Sequence, residues 1–316
     1  MLDIRENVSL HSCTTLRAGG RAAKFARAFS LADLADMAIW AQSHDLEVTT
    51  LGWGSNVLPS DAGVPGFVLQ NSTSNIELTP AGDVQCDSGV GFQELFLKTA
   101  QAGLKGLEYA VGIPGTVGGA LVSNAGAYRS NISEFLTGIE IVFEGVQQWV
   151  DPSWMEFSYR DSRLRRPDPV RCTLLQIRMK LEPGDPKAIY DEARDYQRQR
   201  IGKQPPPASA GSFFKNVHDA ALAERLETLP PNLKKIGLVP AGYLIQEAKL
   251  AGHRLGGAMF ATRHANFMLN VAGATASDIR SLASLARKRV FEEYGAELEE
   301  EVLYLGDWSG WEPVLG

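Results

Sequence analysis

The sequence predicts an α+β protein of more than one domain, and three observations carry that expectation. Helical and strand-like segments alternate through the first hundred residues, a β-rich stretch occupies 139–181, and the proline run Gln204-Pro205-Pro206-Pro207 interrupts the chain before a further mixed segment. The length of 316 residues also exceeds what one core of ordinary size uses.

Ser30 reads as an N-cap with Asp33 three residues on, and Leu31, Leu34, Ala38 and Ala41 recur at helical spacing, so 30–43 is expected to be a helix. Residues 46–51 read as a short strand, Gly52-Trp53-Gly54-Ser55-Asn56 as a small-residue turn, and 66–70 as a second strand. Leu95, Phe96 and Ala100 give 92–102 helical spacing, with Gly103 as its stop. Ile139 to Phe143 and Cys172 to Ile177 are apolar and β-branched, as strands require. Asp185 and Pro186 supply an N-cap and a first-turn proline for a helix to about Arg200. Beyond the prolines, 241–250 and 277–294 read as helices and 267–271 as a strand, with Gly295 closing the last helix.

With 44% hydrophobic and 22% charged residues, the composition excludes disordered and fibrous classes. A formal net charge of −6 argues against nucleic acid or an anionic membrane as partner, leaving only a local site for a phosphorylated ligand. Cys13, Cys86 and Cys172 are widely spaced, which fits a reducing cytoplasm rather than a disulfide framework. No signal-type or 18-residue apolar stretch is present, so the expectation is a cytoplasmic protein with no membrane partner. The five histidines show no HxxxH or HxH spacing, and no metal is expected.

Gly112-Ile113-Pro114-Gly115-Thr116-Val117-Gly118-Gly119 places four glycines and a proline in eight positions. Glycine lets consecutive N–H groups converge without Cβ interference, and such concavities bind phosphate oxygens. The GxxGxxGG spacing is neither a Rossmann fingerprint nor a P-loop. Two readings stand at this point, a phosphate cradle and a tight turn between elements.

Seven stretches, in order along nearly the whole chain, resemble the bacterial UDP-N-acetylenolpyruvoylglucosamine reductases known as MurB: HSCTTLRAGG at 11–20, LGWGSN at 51–56, GIPGTVGGALVSNAGAY at 112–128, YRDS at 159–162, GSFFKN at 211–216, AGYLI at 241–245 and LEEEV at 298–302. The resemblance implies a three-part flavoprotein of cell-wall precursor synthesis. A PCMH or vanillyl-alcohol-oxidase-like pair of α+β subdomains, 1–70 and 71–185, would hold FAD, and a C-terminal α+β substrate domain, 186–302, would bind a UDP-sugar. The tail 303–316 is expected to return to the first subdomain. NADPH is the implied reductant and a monomer the expected state.

The implied reaction gives particular residues physical roles. The substrate's enolpyruvyl alkene is conjugated with a carboxylate, so hydride addition at its terminal carbon pushes charge into that carboxylate. Arg160 is the implied cation, because a guanidinium stays charged and offers paired donors. Glu301, the second glutamate of the L-E-x-E-V pattern, is implied beside it, with Glu299 as the alternative sharing its face in a strand register; alone, this glutamate run reads as a solvated face. Ser212 is the implied proton donor to the α carbon, reasonable because the developing carbanion is a strong base. Tyr159, Lys203 and Asn216 are implied substrate contacts. For FAD the implied set is Gly52, Gly54, Ser55 and Asn56, then Gly112, Ile113, Pro114, Gly115, Thr116, Gly118 and Gly119, then Asn124, Ala125 and Gly126. His264 and Asn266 sit where the family has polar groups of the substrate domain; His264 reads rather as a structural histidine, and neither is counted as catalytic.

The chain departs from the family pattern at Trp53, where GGGSN has a central glycine, at Arg129 after Tyr128, and at Val217 after Asn216. Only nine residues separate Ser162 from Cys172, which places the chain with the short-loop branch. Two other classes share the same features: an FAD-dependent oxidase or dehydrogenase of the vanillyl-alcohol-oxidase type, and a non-catalytic UDP-sugar or flavin-binding regulator.

Overall fold

The computed structural model describes residues 3–166, 170–201 and 209–314. The chain forms two compact units, Met1–Val8 with Ala22–Gly54 and Val64–Gly202, and Ser9–Arg21 with Ser55–Gly63 and Lys203–Gly316.

The first unit contains two larger sheets. One has the order Arg5–Ser9, Arg21–Ala28, Val64–Asn71, Val48–Leu51, with the last three strands parallel. Leu31–Ser43 is the helix expected from its spacing; Ser30 Oγ accepts from Asp33 N, and Leu34, Met37, Ala38 and Ala41 are buried with Phe67 and Leu69. The strand Arg21–Ala28 escaped the sequence reading because its alanines favour helix, and burial between neighbouring strands overrides that preference.

The other sheet is antiparallel throughout, in the order Val146–Val150, Leu136–Phe143, Cys172–Lys180, Asp83–Asp87, Ile76–Leu78. Its apolar face shares a core with the helix Phe92–Gln101 through Phe92, Leu95 and Phe96. The helix Pro186–Ile201 packs in this unit as well, burying Ile189 and Ala193 there, whereas the sequence division begins the substrate domain at 186. Its apolar stripe needs that core, so the break between units falls after the helix.

The second unit is built on the antiparallel sheet Ser209–Ser212, Phe267–Asn270, Ala258–Phe260, Arg254–Leu255. The helix Ala276–Tyr294 carries a capping box between Thr275 and Asp278 and ends at Gly295 with φ 68°. Its core includes Phe213, Phe214, Ile245, Phe260, Ile279 and Leu282, together with Leu16, Ala18 and Leu58 from the two early segments. The tail strand Leu303–Leu305 pairs in parallel with Val57–Pro59, a segment inside 1–70 that itself belongs to the second unit. No described helix is long and apolar enough to cross a membrane.

Cys86 and Cys172 are free thiols whose acidity is suppressed by burial, Cys172 being pushed up to about 12. Both are expected to resist alkylation by a thiolate-selective reagent at pH 8 in the folded protein and to react at once in denaturant, as mass spectrometry of labelled peptides would show.

Candidate active site

The glycine segment is bound tightly to its surroundings. Ile113 N donates to Ala110 O, Val117 N to Val90 O at 2.8 Å, and Gly118 N to Ser88 O at 2.7 Å. Thr116 caps the short helix Val117–Val122, its Oγ1 accepting from Gly119 N at 3.2 Å. Four of the segment's N–H groups are therefore committed to the protein itself, and at those positions the glycines serve close packing: a Cβ on Gly118 would stand 3.1 Å from the Ser88 carbonyl oxygen. Gly115 has φ 114°, a left-handed conformation that only glycine adopts readily. The turn at Gly52 lies directly against this helix start, since a Cβ there would meet Thr116 Oγ1 at 2.5 Å. Gly54 is buried, also with positive φ, and Ser55 and Asn56 begin the segment of the second unit.

Two separated motifs meet just beyond the helix. Ser158 and Asp161 bridge each other, making Tyr159 and Arg160 the corners of a tight turn, with Arg160 at φ 53°. Asn124, itself at φ 40°, donates through Nδ2 to Ser158 O at 2.9 Å. Arg160 donates back to the carbonyls of Asn124 and Gly126, and the fully buried Ser162 donates through Oγ to Val122 O at 2.7 Å. Asn124 to Gly126 thus hold the arginine turn in place, and Tyr159 remains half exposed with the Arg160 guanidinium 5.4 Å from its ring centre.

Sequence reasoning missed a second cation in this unit. Arg200, at the end of its helix, reaches Gly112 O with Nη1 at 3.4 Å and stands 5.8 Å from the Tyr128 ring, which stacks on Tyr196 at 3.8 Å. Burial presses the Arg200 guanidinium below its ordinary value, with Tyr128 opposing that shift. No motif marks Arg200; its role emerges only from the helix joining the first unit. Arg200 Nε and Asn124 Oδ1 are both buried with no hydrogen-bond partner among the described residues. One donor and one acceptor at the two ends of the glycine segment, beside a cation and a cramped glycine turn, fit a ligand with phosphates and a polar ring such as FAD.

In the second unit Ser212 follows Gly211, whose φ of 79° accompanies a register shift between Ser209 and Ser212 against Phe267–Asn270. The bulge re-aims the serine while Phe213 and Phe214 stay buried. Glu301 N donates to Phe213 O at 2.7 Å and Lys215 N to Glu299 O at 2.8 Å, so the glutamate run lies alongside the serine segment. Only Glu300 forms a bridge, with Phe214, so the run is an extended segment rather than a strand. Its carboxylates separate: Glu299 pairs with Lys215 at 2.6 Å and Glu300 with Arg287 at 3.4 Å, while the Glu301 backbone carbonyl accepts from Asn56 Nδ2 at 3.0 Å. Asn216 uses Oδ1 to accept from Ala241 N, joining GSFFKN to AGYLI. Lys203 lies outside the described residues. Arg160 belongs to the first unit, Ser212 and Glu301 to the second.

Asn266, not counted as catalytic from the sequence, holds the serine segment. It is buried, its carbonyl accepts from Phe213 N, its Oδ1 from Phe214 N, and its Nδ2 donates to Phe214 O at 2.8 Å. Asn266→Ala orphans two buried backbone groups, and an expected loss of about 3 kcal/mol of stability would appear in urea unfolding of the full chain.

Residues 22–146 match the FAD binding domain family, and residues 202–305 match the family described as UDP-N-acetylenolpyruvoylglucosamine reductase, C-terminal domain. An FAD-binding domain with the glycine turn and buried polar atoms described above makes the chain an FAD-dependent oxidoreductase. The chain is 35% identical over 310 residues to the UDP-N-acetylenolpyruvoylglucosamine reductase of a Synechococcus strain, covering 97% of this chain and 92% of the relative. It is 37% identical over 311 residues to that of Acaryochloris marina, covering 96% and 93%. The crystal structure of the Thermus caldophilus enzyme superimposes with a TM-score of 0.76 at 30% identity, over 96% of this chain and all of that one. The chain belongs to the UDP-N-acetylenolpyruvoylglucosamine reductase family.

Proposed function

We propose that the protein reduces UDP-N-acetylglucosamine enolpyruvate to UDP-N-acetylmuramate at the expense of NADPH, as a cytoplasmic monomer supplying peptidoglycan precursors. The observation that carries this reading is similarity to reductases of that name along 97% of the chain, with Arg160, Ser212 and Glu301 present at the motif positions.

Bound FAD, reduced by NADPH, supplies the hydride equivalent that the substrate alkene accepts. The chain's residues do the rest. Gly52, Gly54, Ser55, Asn56, the glycine segment and Asn124 to Gly126 hold the cofactor, and Arg200 adds positive charge at Gly112. Arg160 binds the substrate carboxylate through its guanidinium, and so stabilises charge that develops during reduction. Ser212 Oγ delivers a proton to the α carbon. Glu301, at the second glutamate position of the motif, acts at the same carboxylate. Tyr159, Lys203 and the Asn216 amide bind the diphosphate or sugar.

The test is a visible spectrum of the purified protein and NADPH oxidation with and without the enolpyruvyl substrate. A flavin spectrum with substrate-dependent oxidation is the expected result. Flavin without such turnover overturns the reductase reading and favours a different flavin oxidoreductase.

A further inference from the structure

Trp53 is 52% exposed in the turn that the family pattern fills with glycine, an unusual place for a large apolar ring. Its outer edge is seated against Gly91, where a Cβ would stand 2.7 Å from Cη2 and 2.9 Å from Cζ2. Gly91 in turn bridges Thr116, and Phe92 N donates to Gly115 O at 2.9 Å. The preceding residue, Gly52, abuts Thr116 Oγ1. The indole is therefore pinned by one edge to the rim of the glycine segment with much of its surface open, all within the first unit.

Resting on the proposed FAD site, we propose that Trp53 is a stacking platform for the adenine ring of the bound dinucleotide. In a dinucleotide whose diphosphate lies at the glycine segment, only a ribose separates the purine from that diphosphate, so the purine can reach the rim. A flat, preorganised indole offers such a ring a π face without any demand for specific hydrogen bonds. The platform sets affinity for the adenylate half of FAD and leaves the flavin half to other residues.

The experiment measures dissociation constants of FAD and FMN for the flavin-stripped full-length wild type, Trp53→Gly and Trp53→Phe, by flavin fluorescence. FMN lacks the adenylate, so it reports the rest of the site and also whether each variant is folded. The expected result is FAD binding about tenfold weaker in Trp53→Gly, partly restored in Trp53→Phe, with FMN binding unchanged. Unchanged FAD affinity overturns the proposal. Equal weakening of FAD and FMN also overturns it, because Trp53 then shapes the turn rather than stacking. A raised KM for NADPH with FAD affinity intact assigns the platform to the other adenine dinucleotide and overturns it too. Failure of the wild type to bind either flavin removes the FAD site itself.

Discussion

Ser212→Ala is expected to lower steady-state turnover by about a thousandfold while NADPH still bleaches the flavin at the wild-type rate. The two halves of the reaction separate because the serine acts only after the substrate has accepted hydride. An alanine removes the Oγ proton and changes little else. Gly211 sets the bulge, Asn266 fixes Phe213 and Phe214, and the Ser212 side chain fills no core position. Stopped-flow absorbance in two phases decides the matter. A slow reoxidation by substrate with normal reduction supports the assignment. Equal slowing of both phases, or wild-type turnover, sinks it.

Arg160→Lys is expected to reduce kcat by two to three orders of magnitude, a loss of about 3–4 kcal/mol of transition-state stabilisation. Charge survives the change, so a purely electrostatic steering role would leave most of the activity. What disappears is the forked guanidinium, which meets the carbonyls of Asn124 and Gly126 and whose planar paired-donor geometry lysine cannot copy. Lysine keeps the positive φ of the turn, so both side chains bear the same backbone strain. Comparison with Arg160→Gln and with thermal stability separates the roles: a variant that loses stability in step with activity indicates that the carbonyl bonds matter more than the substrate.

Much of this architecture is legible because local rules agree with tertiary demand. Ser30 with Asp33, Gly103 and Gly295 mark helix ends in composition alone, and each behaves so in the fold. Arg21–Ala28 fails that test, since alanine-rich strands are recognisable only once their neighbours bury them. At the site, Arg160, Ser212 and Glu301 are found through motifs. Arg200 and Asn266 act through contacts more than fifty residues away in sequence, a relation that no spacing rule captures. The glycine segment shows the opposite limit: its composition signals convergent N–H groups, but only the structure shows that several of them are spent on Ala110, Ser88 and Val90.

The second unit is assembled from three pieces of chain, with Leu16, Ala18 and Leu58 in its core and Val57–Pro59 paired with the tail strand Leu303–Leu305. During synthesis the first two pieces, Ser9–Arg21 and Ser55–Gly63, leave the ribosome well over a hundred residues before the third piece begins at Lys203. The nascent chain must therefore keep these apolar segments waiting while the first unit is made, and the tail strand can form only once Leu303–Leu305 has been synthesised. Folding of the second unit thus waits on the last of its three pieces, and a product truncated before Leu303–Leu305 has an unfinished core.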